Sequence, residues 1–297
     1  MAIAPRLAAL AAARRLLRGG QTAGRTRDDV RFLDVPGARL RARVRGSGRR
    51  MLLLSADAPV VVEHYDRLLD LLERETAVAV FELPGFGFSV PRPGYDYSVD
   101  AIEAAVLGVR EALGADRLVL GLSCAAGLVS LRLAERRPDL VDGLVMIQTV
   151  PAPEQLAWAE GLDPKRLLRR AGVGQAVMVA RRTSTAKGWI RYSAGSTAQA
   201  EALWARAEAP LASGARFPLG SALQGLFADP PDEPDGLEVP AVAVWGESDR
   251  SHRHTDPLAL RRVLPQATIH RLDGVGHTPE LEVPEEFVDL VRPVIAS

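Results

Sequence analysis

The sequence predicts an α/β fold: a mostly parallel, eight-stranded sheet with helices on both faces, interrupted by a helical insertion. Three observations carry this. From residue 30 to 149, short apolar runs bounded by turn formers alternate with longer amphipathic stretches. Over residues 150–236 the alternation stops and only helical patterns remain. Over residues 237–297 it resumes. Runs of four to eight apolar residues suit strands buried on both faces, and strand–helix alternation places such strands in parallel.

The elements follow in order. "VRFLDV" and "ARLRARV" straddle Pro36-Gly37 and read as a hairpin. "RMLLLSA", "TAVAVFELPG", "RLVLGLS" and "VDGLVMIQT" read as buried strands, with helices over 60–74, 98–114 and 124–136 between them. Residues 150–236 hold "PKRLLRRAG", "GQAVMVARRT" and "AQAEALWARAEA" and end in the acidic, Pro-rich "DPPDEPD". "VPAVAVWGES", a helix near 255–264, "ATIHRL" and a last helix from about 284 complete the pattern. The expected organisation is a core of residues 30–149 and 237–297, with residues 150–236 as a helical cap. An insertion of this length exceeds ordinary connections and tends to carry function. Residues 1–29 form an N-terminal extension, in which Ile3, Leu7, Leu10 and Leu17 share one helical face. Its arginines follow the apolar stretch, the reverse of a secretory signal.

Composition narrows the function classes. Lys+Arg and Asp+Glu are both 37 among 297 residues, so no bulk charge draws nucleic acid or a membrane. Cys124 is the one cysteine, which excludes an intrachain disulfide, is read as excluding a Cys-based zinc site, and suits the cytoplasm. The expected partner is a small-molecule substrate, with no cofactor and no metal. "SHRHTD" offers His252, His254 and Asp256, but without further ligands it reads as a solvated loop. His64 reads as helix surface, His270 as strand, and Met146 and Met178 as core. Oligomeric state is left open.

"LGLSCAAG" is the chemically informative stretch. A strand that turns sharply into a helix at Ser123 would present its hydroxyl at the sheet's carboxyl edge. Gly121 and Ala125 supply the small neighbours such a turn needs. A serine needs a base, and the base needs an orienting acceptor. Asp249 follows the strand "AVAVWGES", and His277 follows the last strand in "GVGHTPELEVPEEF". Both loops open on the same edge as Ser123 in a parallel sheet.

These motifs resemble those of the α/β-hydrolase superfamily over nearly the whole chain from about residue 30. "LGLSCAAG" resembles its nucleophile elbow, and "ELPGFGFSVPRP", with Gly85, Gly87 and Ser89, its strand-four loop. "WGESDR" resembles the acid loop and "GVGHTPELEVPEEF" the histidine loop. The resemblance implies a capped serine hydrolase with a Ser123–His277–Asp249 triad. It implies an oxyanion hole built from the backbone N–H of Cys124 with that of Asp57 or Ala58. Two departures stand out: Glu82 replaces the usual Asp, and Ser55-Ala56 replaces the usual His-Gly. Trp158, Trp189 and Trp204 are expected to pack the cap and line an apolar acyl or ring pocket. The expected reaction is hydrolysis of an ester, thioester or lactone of a small apolar molecule. Two alternatives keep the fold: triad-dependent cyclisation, acyl transfer or carbon–carbon cleavage, and a non-catalytic binding module.

Overall fold

A computed structural model describes residues 27–296. The amphipathic N-terminal stretch read from the sequence lies almost wholly outside them.

The strands are β1 (Val30–Val35), β2 (Ala38–Arg45), β3 (Arg50–Ala56), β4 (Ala77–Glu82), β5 (Val90–Pro91), β6 (Arg117–Gly121), β7 (Val141–Ile147), β8 (Ala241–Gly246) and β9 (Thr268–Leu272). Eight run in the order β1-β2-β4-β3-β6-β7-β8-β9, and the two-residue β5 pairs with β2 at the edge. β1 and β2 form the expected hairpin, with Gly37 at φ +72° in its turn. β2 meets β4 antiparallel; from β4 through β9 every pairing is parallel. The carboxyl ends of β3, β6, β8 and β9 therefore open on one edge of the sheet.

Both faces are covered. Helices α1 (Asp66–Leu72) and α9 (Pro284–Ile295) pack one side, through Leu68, Leu69, Leu72, Phe287 and Val291 against Leu54, Val80 and Val244. Helices α2 (Val99–Leu113) and α3 (Gly127–Arg136) pack the other, through Val106, Val109, Leu128 and Leu131 against Leu53, Leu120 and Met146. Ser98 caps α2 by accepting from the Ala101 N–H, and Gly114 ends it at φ +67°.

Between β7 and β8 lie α4 (Ala152–Leu162), α5 (Val173–Ser193), α6 (Thr197–Ala212) and α7 (Leu219–Gly225). They bury their own apolar cluster, which includes Met178, Ile190 and Leu211. His64 departs from expectation. It is buried, not on a helix surface, and its Nε2 lies 3.0 Å from the Leu203 carbonyl. It therefore ties the segment after β3 to α6. A short helix α8 (Pro279–Glu282) precedes α9, and the stretch near 255–264 is a 3-10 helix over Pro257–Arg262.

Candidate active site

The turn after β6 is tight, but its register differs by one residue from the sequence expectation. Ser123, just past the end of β6, is still extended: its φ is −83° and its ψ 150°, and it forms an isolated bridge to Ile147 of β7. The left-handed residue is Cys124, at φ +53°. A non-glycine residue there stores strain of the kind found at functional turns. Ser123 is spent on the scaffold. Its N–H donates to Ser55 Oγ at 3.0 Å and its Oγ to the Ser55 carbonyl at 3.4 Å. Among the described residues no hydrogen bond joins Ser123 Oγ to His277, so the expected Ser–His pair is not formed.

The local sequence explains the shift. Leu118, Leu120 and Leu122 are all buried in one cluster, so the strand's alternation runs past Gly121. Gly121 is small because a Cβ there would stand 2.4 Å from Leu54 Cδ2, a demand of sheet packing and not of the turn. The small residues serving the turn are Ala126 and Gly127. A Cβ on Gly127 would meet the Thr149 side chain at 2.3 Å, and Thr149 Oγ1 donates to the Cys124 carbonyl at 2.9 Å.

Asp249 and His277 do come together. His277 Nδ1 lies 2.5 Å from Asp249 Oδ2, and both side chains are buried. Asp249 is fully engaged. Oδ1 accepts from the Ser251 N–H and hydroxyl at 2.8 and 2.7 Å, and Oδ2 also accepts from Gln148 Nε2 at 3.0 Å. Burial alone would raise its pKa, but the His277 and His252 rings and these donors hold it at about 2.

The far side of the His277 ring has three neighbours, Cys124, His252 and Asp57. Cys124 Sγ and the nearest ring nitrogens of His252 and His277 all lie within 4.8 Å of one another. Asp57 Oδ2 lies 2.7 Å from His277 Nε2, an ion-pair distance without the alignment of a hydrogen bond. Burial disfavours charge on the imidazole, yet Asp249, Cys124 and Asp57 together hold its pKa well above the ordinary value. The Cys124 thiol is pushed up, first by burial and then by Asp57, with His277 pulling it back.

His252 overturns the solvated-loop reading of "SHRHTD". His254 and Asp256 are exposed, but His252 is buried, stacked on Trp158 (centroids 4.7 Å, 9°) and near His277 (5.4 Å). Its Nδ1 lies 3.2 Å from Thr255 Oγ1 and its Nε2 4.0 Å from Cys124 Sγ. Burial and the His277 charge lower its pKa to about 3, so it is neutral. Sequence reasoning missed it because the rings that enclose it, Trp158, Trp245 and His277, come from three separate elements.

The pocket above these groups has a volume of about 730 Å³ including its mouth. Asp57 and His277 are its only charged or titratable lining groups apart from Cys124 and two tyrosines; the rest of the wall is mainly apolar, with Phe86, Phe217, Leu223 and Phe227. Trp158 and Trp189 line it, and Trp189 meets the His277 ring edge-on at 5.5 Å. Trp204 does not. It packs between cap helices under Lys187, whose Nζ stands 4.9 Å from its ring, so its assignment to the pocket is corrected.

The strand-four loop is fixed from below. Glu82, in place of the expected Asp, is buried and accepts from the Phe88 N–H at 2.6 Å and from Arg41 at 3.1 Å. Burial outweighs Arg41 and lifts its pKa to about 7. A Cβ on Gly87 (φ +50°) would collide with the Glu82 carboxyl.

The sheet order and this convergence at its carboxyl edge point to one family. The sequence profile of the alpha/beta hydrolase fold matches residues 60–282. The chain belongs to the α/β-hydrolase fold family. Two curated relatives and a solved structure extend the likeness. The pimeloyl-[acyl-carrier protein] methyl ester esterase of Aromatoleum aromaticum is 31% identical over 235 residues, covering 72% of this chain and 85% of that protein. The biotin biosynthesis bifunctional protein BioHC of Teredinibacter turnerae is 23% identical over 251 residues. That match covers 76% of this chain but only 40% of BioHC, so this chain spans less than half of that relative's length. Est816, described as an N-acyl homoserine lactone degrading enzyme, superposes with a TM-score of 0.68 at 20% identity, covering 89% of this chain and 99% of that one. At that identity the likeness shows the fold. No helix among the described residues is long and apolar enough to cross a membrane.

Proposed function

We propose that this α/β-hydrolase uses a cysteine, Cys124, as its nucleophile, with His277 as acid and base and Asp249 as the group that orients the ring. The substrate is a small, neutral, mainly apolar ester, thioester or lactone. One observation carries the choice of Cys124 over Ser123: the left-handed residue of the elbow is Cys124, with its sulfur beside His277, while both polar groups of Ser123 bond to Ser55.

In the reactive form the thiol proton resides on His277 and Cys124 is a thiolate. The thiolate attacks the carbonyl carbon. The oxyanion that forms faces the N–H of Ala125, the residue after the nucleophile, within the short 3-10 helix Cys124–Ala126. The second donor is the N–H of Ala58, because that of Asp57 faces the Tyr65 phenol. The sequence expectation of a Cys124 donor moves on by one residue with the nucleophile. The intermediate collapses, and the leaving alcohol or thiol takes the proton from the His277 imidazolium. A thioester on Cys124 remains. Neutral His277 then takes a proton from water, whose oxygen attacks the thioester, and the thiolate leaves with the acid as product. Asp249, ionised throughout, holds the ring and stabilises its charged form.

The pocket supports the substrate class. It offers aromatic and aliphatic wall and no lysine or arginine to hold a phosphate or free carboxylate. A methyl ester is also the bond named for the Aromatoleum aromaticum relative.

Steady-state kinetics of Cys124→Ala and Ser123→Ala on a panel of short acyl esters, thioesters and lactones test this reading. Cys124→Ala is expected to lose at least about 10³-fold in kcat/KM, the scale of losing a nucleophile. Ser123→Ala is expected to stay within about tenfold of wild type, since only its hydroxyl contact to Ser55 is lost. The reverse ranking returns the nucleophile to Ser123.

A further inference from the structure

Three potential ligand atoms converge at the floor of the pocket, those of Cys124, His252 and His277, and a carboxylate, Asp57, stands beside one of them. We propose that Cys124, His252 and His277, with Asp57 as fourth ligand, form a binding site for a soft divalent cation, Zn²⁺ above all. Occupancy of that site blocks the thiol. The blocking clause rests on the reading of Cys124 as nucleophile; the binding site itself does not.

The donor geometry is the first argument. Cys124 Sγ and His252 Nε2 are 4.0 Å apart. Two ligands of a tetrahedral zinc, one sulfur and one nitrogen, stand about 3.6 Å apart, given usual bond lengths. A shift of a few tenths of an ångström closes that gap. The third donor lies within 4.8 Å of both. Asp57 Oδ2 already reaches His277 Nε2 and can swing, being the most exposed of the four.

The second argument is the set of outer partners. Ligating histidines characteristically hold the other ring nitrogen on an oxygen, which fixes tautomer and orientation. Both rings have that arrangement. His277 Nδ1 is on Asp249, and His252 Nδ1 is on Thr255 Oγ1. Each ring thus turns its Nε2 toward the sulfur side. A triad explains the His277 partner and leaves the His252 partner without a purpose.

The third argument is an orphan. His277 Nε2 is buried without an aligned hydrogen-bond partner among the described residues. The Asp57 carboxylate stands beside it at ion-pair distance but out of hydrogen-bond line, and a metal bound on Nε2 would supply the aligned partner. The proposal departs from the sequence expectation of no metal and no Cys-based zinc site, which rested on the cysteine count alone; a mixed Cys/His/carboxylate set needs only one sulfur. The ligands must be deprotonated, so binding displaces the thiol proton and any proton on His277, and affinity rises with pH.

The test uses the full chain titrated with Co²⁺ and then Zn²⁺. The expected result is one Co²⁺ per chain, with near-ultraviolet thiolate-to-metal absorption and the intense visible bands of four-coordination. Zn²⁺ should displace it and inhibit turnover, reversibly on chelation. Cys124→Ser should lose the thiolate band, and His252→Gln should weaken Zn²⁺ at least about tenfold. If His252→Gln unfolds, Thr255→Val removes only the outer partner and should weaken Zn²⁺ in the same sense. No thiolate band, or Zn²⁺ affinity unaltered by either variant, overturns the site. Loss of the metal site alongside a trapped Cys124 thioester leaves the nucleophile reading intact. A thiolate band in wild type beside a fully active Cys124→Ser does the opposite.

Discussion

The Asp57 carboxylate stands 2.7 Å from His277 Nε2, on the face of the ring opposite Asp249. The imidazole is thus held between two carboxylates. Asp57 favours the proton on His277 and opposes the thiolate on Cys124.

This relationship sets a pH dependence. The thiol pKa is raised by burial and by Asp57, so the thiolate fraction, and with it kcat/KM, should climb through the alkaline range. Asp57→Asn removes one of the groups raising the thiol pKa. Its rising limb should therefore move to lower pH, with alkylation by iodoacetamide moving alongside. Below the pKa each unit of such movement multiplies the thiolate fraction by about ten. A limb that moves to higher pH, or does not move, contradicts the assignment.

His252 should mark the stability curve. Its folded pKa of about 3 lies below the ordinary 6.5. Between those values the unfolded chain binds a proton that the folded chain refuses, so stability falls as pH drops through that window. The loss by pH 4 is at most about 3 kcal/mol at 1.36 kcal/mol per unit. Urea midpoints at pH 7 and pH 4.5 should converge in His252→Gln by one proton's worth of slope.

The histidine loop is packed against the end of α5. The His277 N–H donates to the Ser193 carbonyl at 2.9 Å, and Glu282 accepts from both the Gly195 and Gly276 N–H groups. A Cβ on Gly276 would stand 2.3 Å from Gly195 N and from the Ser193 carbonyl. Gly276→Ala should displace His277 and cost roughly 1–3 kcal/mol of stability and about 10²-fold in kcat. Gly161→Ala, on α4 with open space around it, is the control and should be neutral or slightly stabilising.

The two cap tryptophans should separate. Trp189 touches His277 and lines the pocket, so Trp189→Ala should lower kcat/KM and alter acyl-chain preference. Trp204 lies outside the pocket, so Trp204→Ala should lower the melting temperature, by about 1–3 kcal/mol of stability, with chain preference unchanged. Activity profiles across acyl lengths and thermal melts check both.

Much of this was legible in the sequence because parallel topology does the placing. Strand–helix alternation puts the ends of β6, β8 and β9 on one edge, so Asp249 and His277 could be found as polar residues just beyond apolar runs. The register of the elbow was not legible. Ser123 sits between small residues, but Gly121 is small for Leu54 and the turn falls one residue later. The buried alternation through Leu122 was the available clue. His252 and Trp204 were misread for a common reason. Whether a loop histidine or a cap tryptophan turns inward depends on partners, Trp158 and Lys187, that lie far away in the chain or on another helix.

The most direct test is to trap the acyl-enzyme. A slowly released acyl donor is mixed with wild type, quenched in acid, and read by intact mass and peptide mapping. One acyl group on the peptide spanning residue 124, removed by neutral hydroxylamine and absent in Cys124→Ser but present in Ser123→Ala, is the predicted result. An adduct on Ser123, stable to neutral hydroxylamine and retained in Cys124→Ser, would contradict the account.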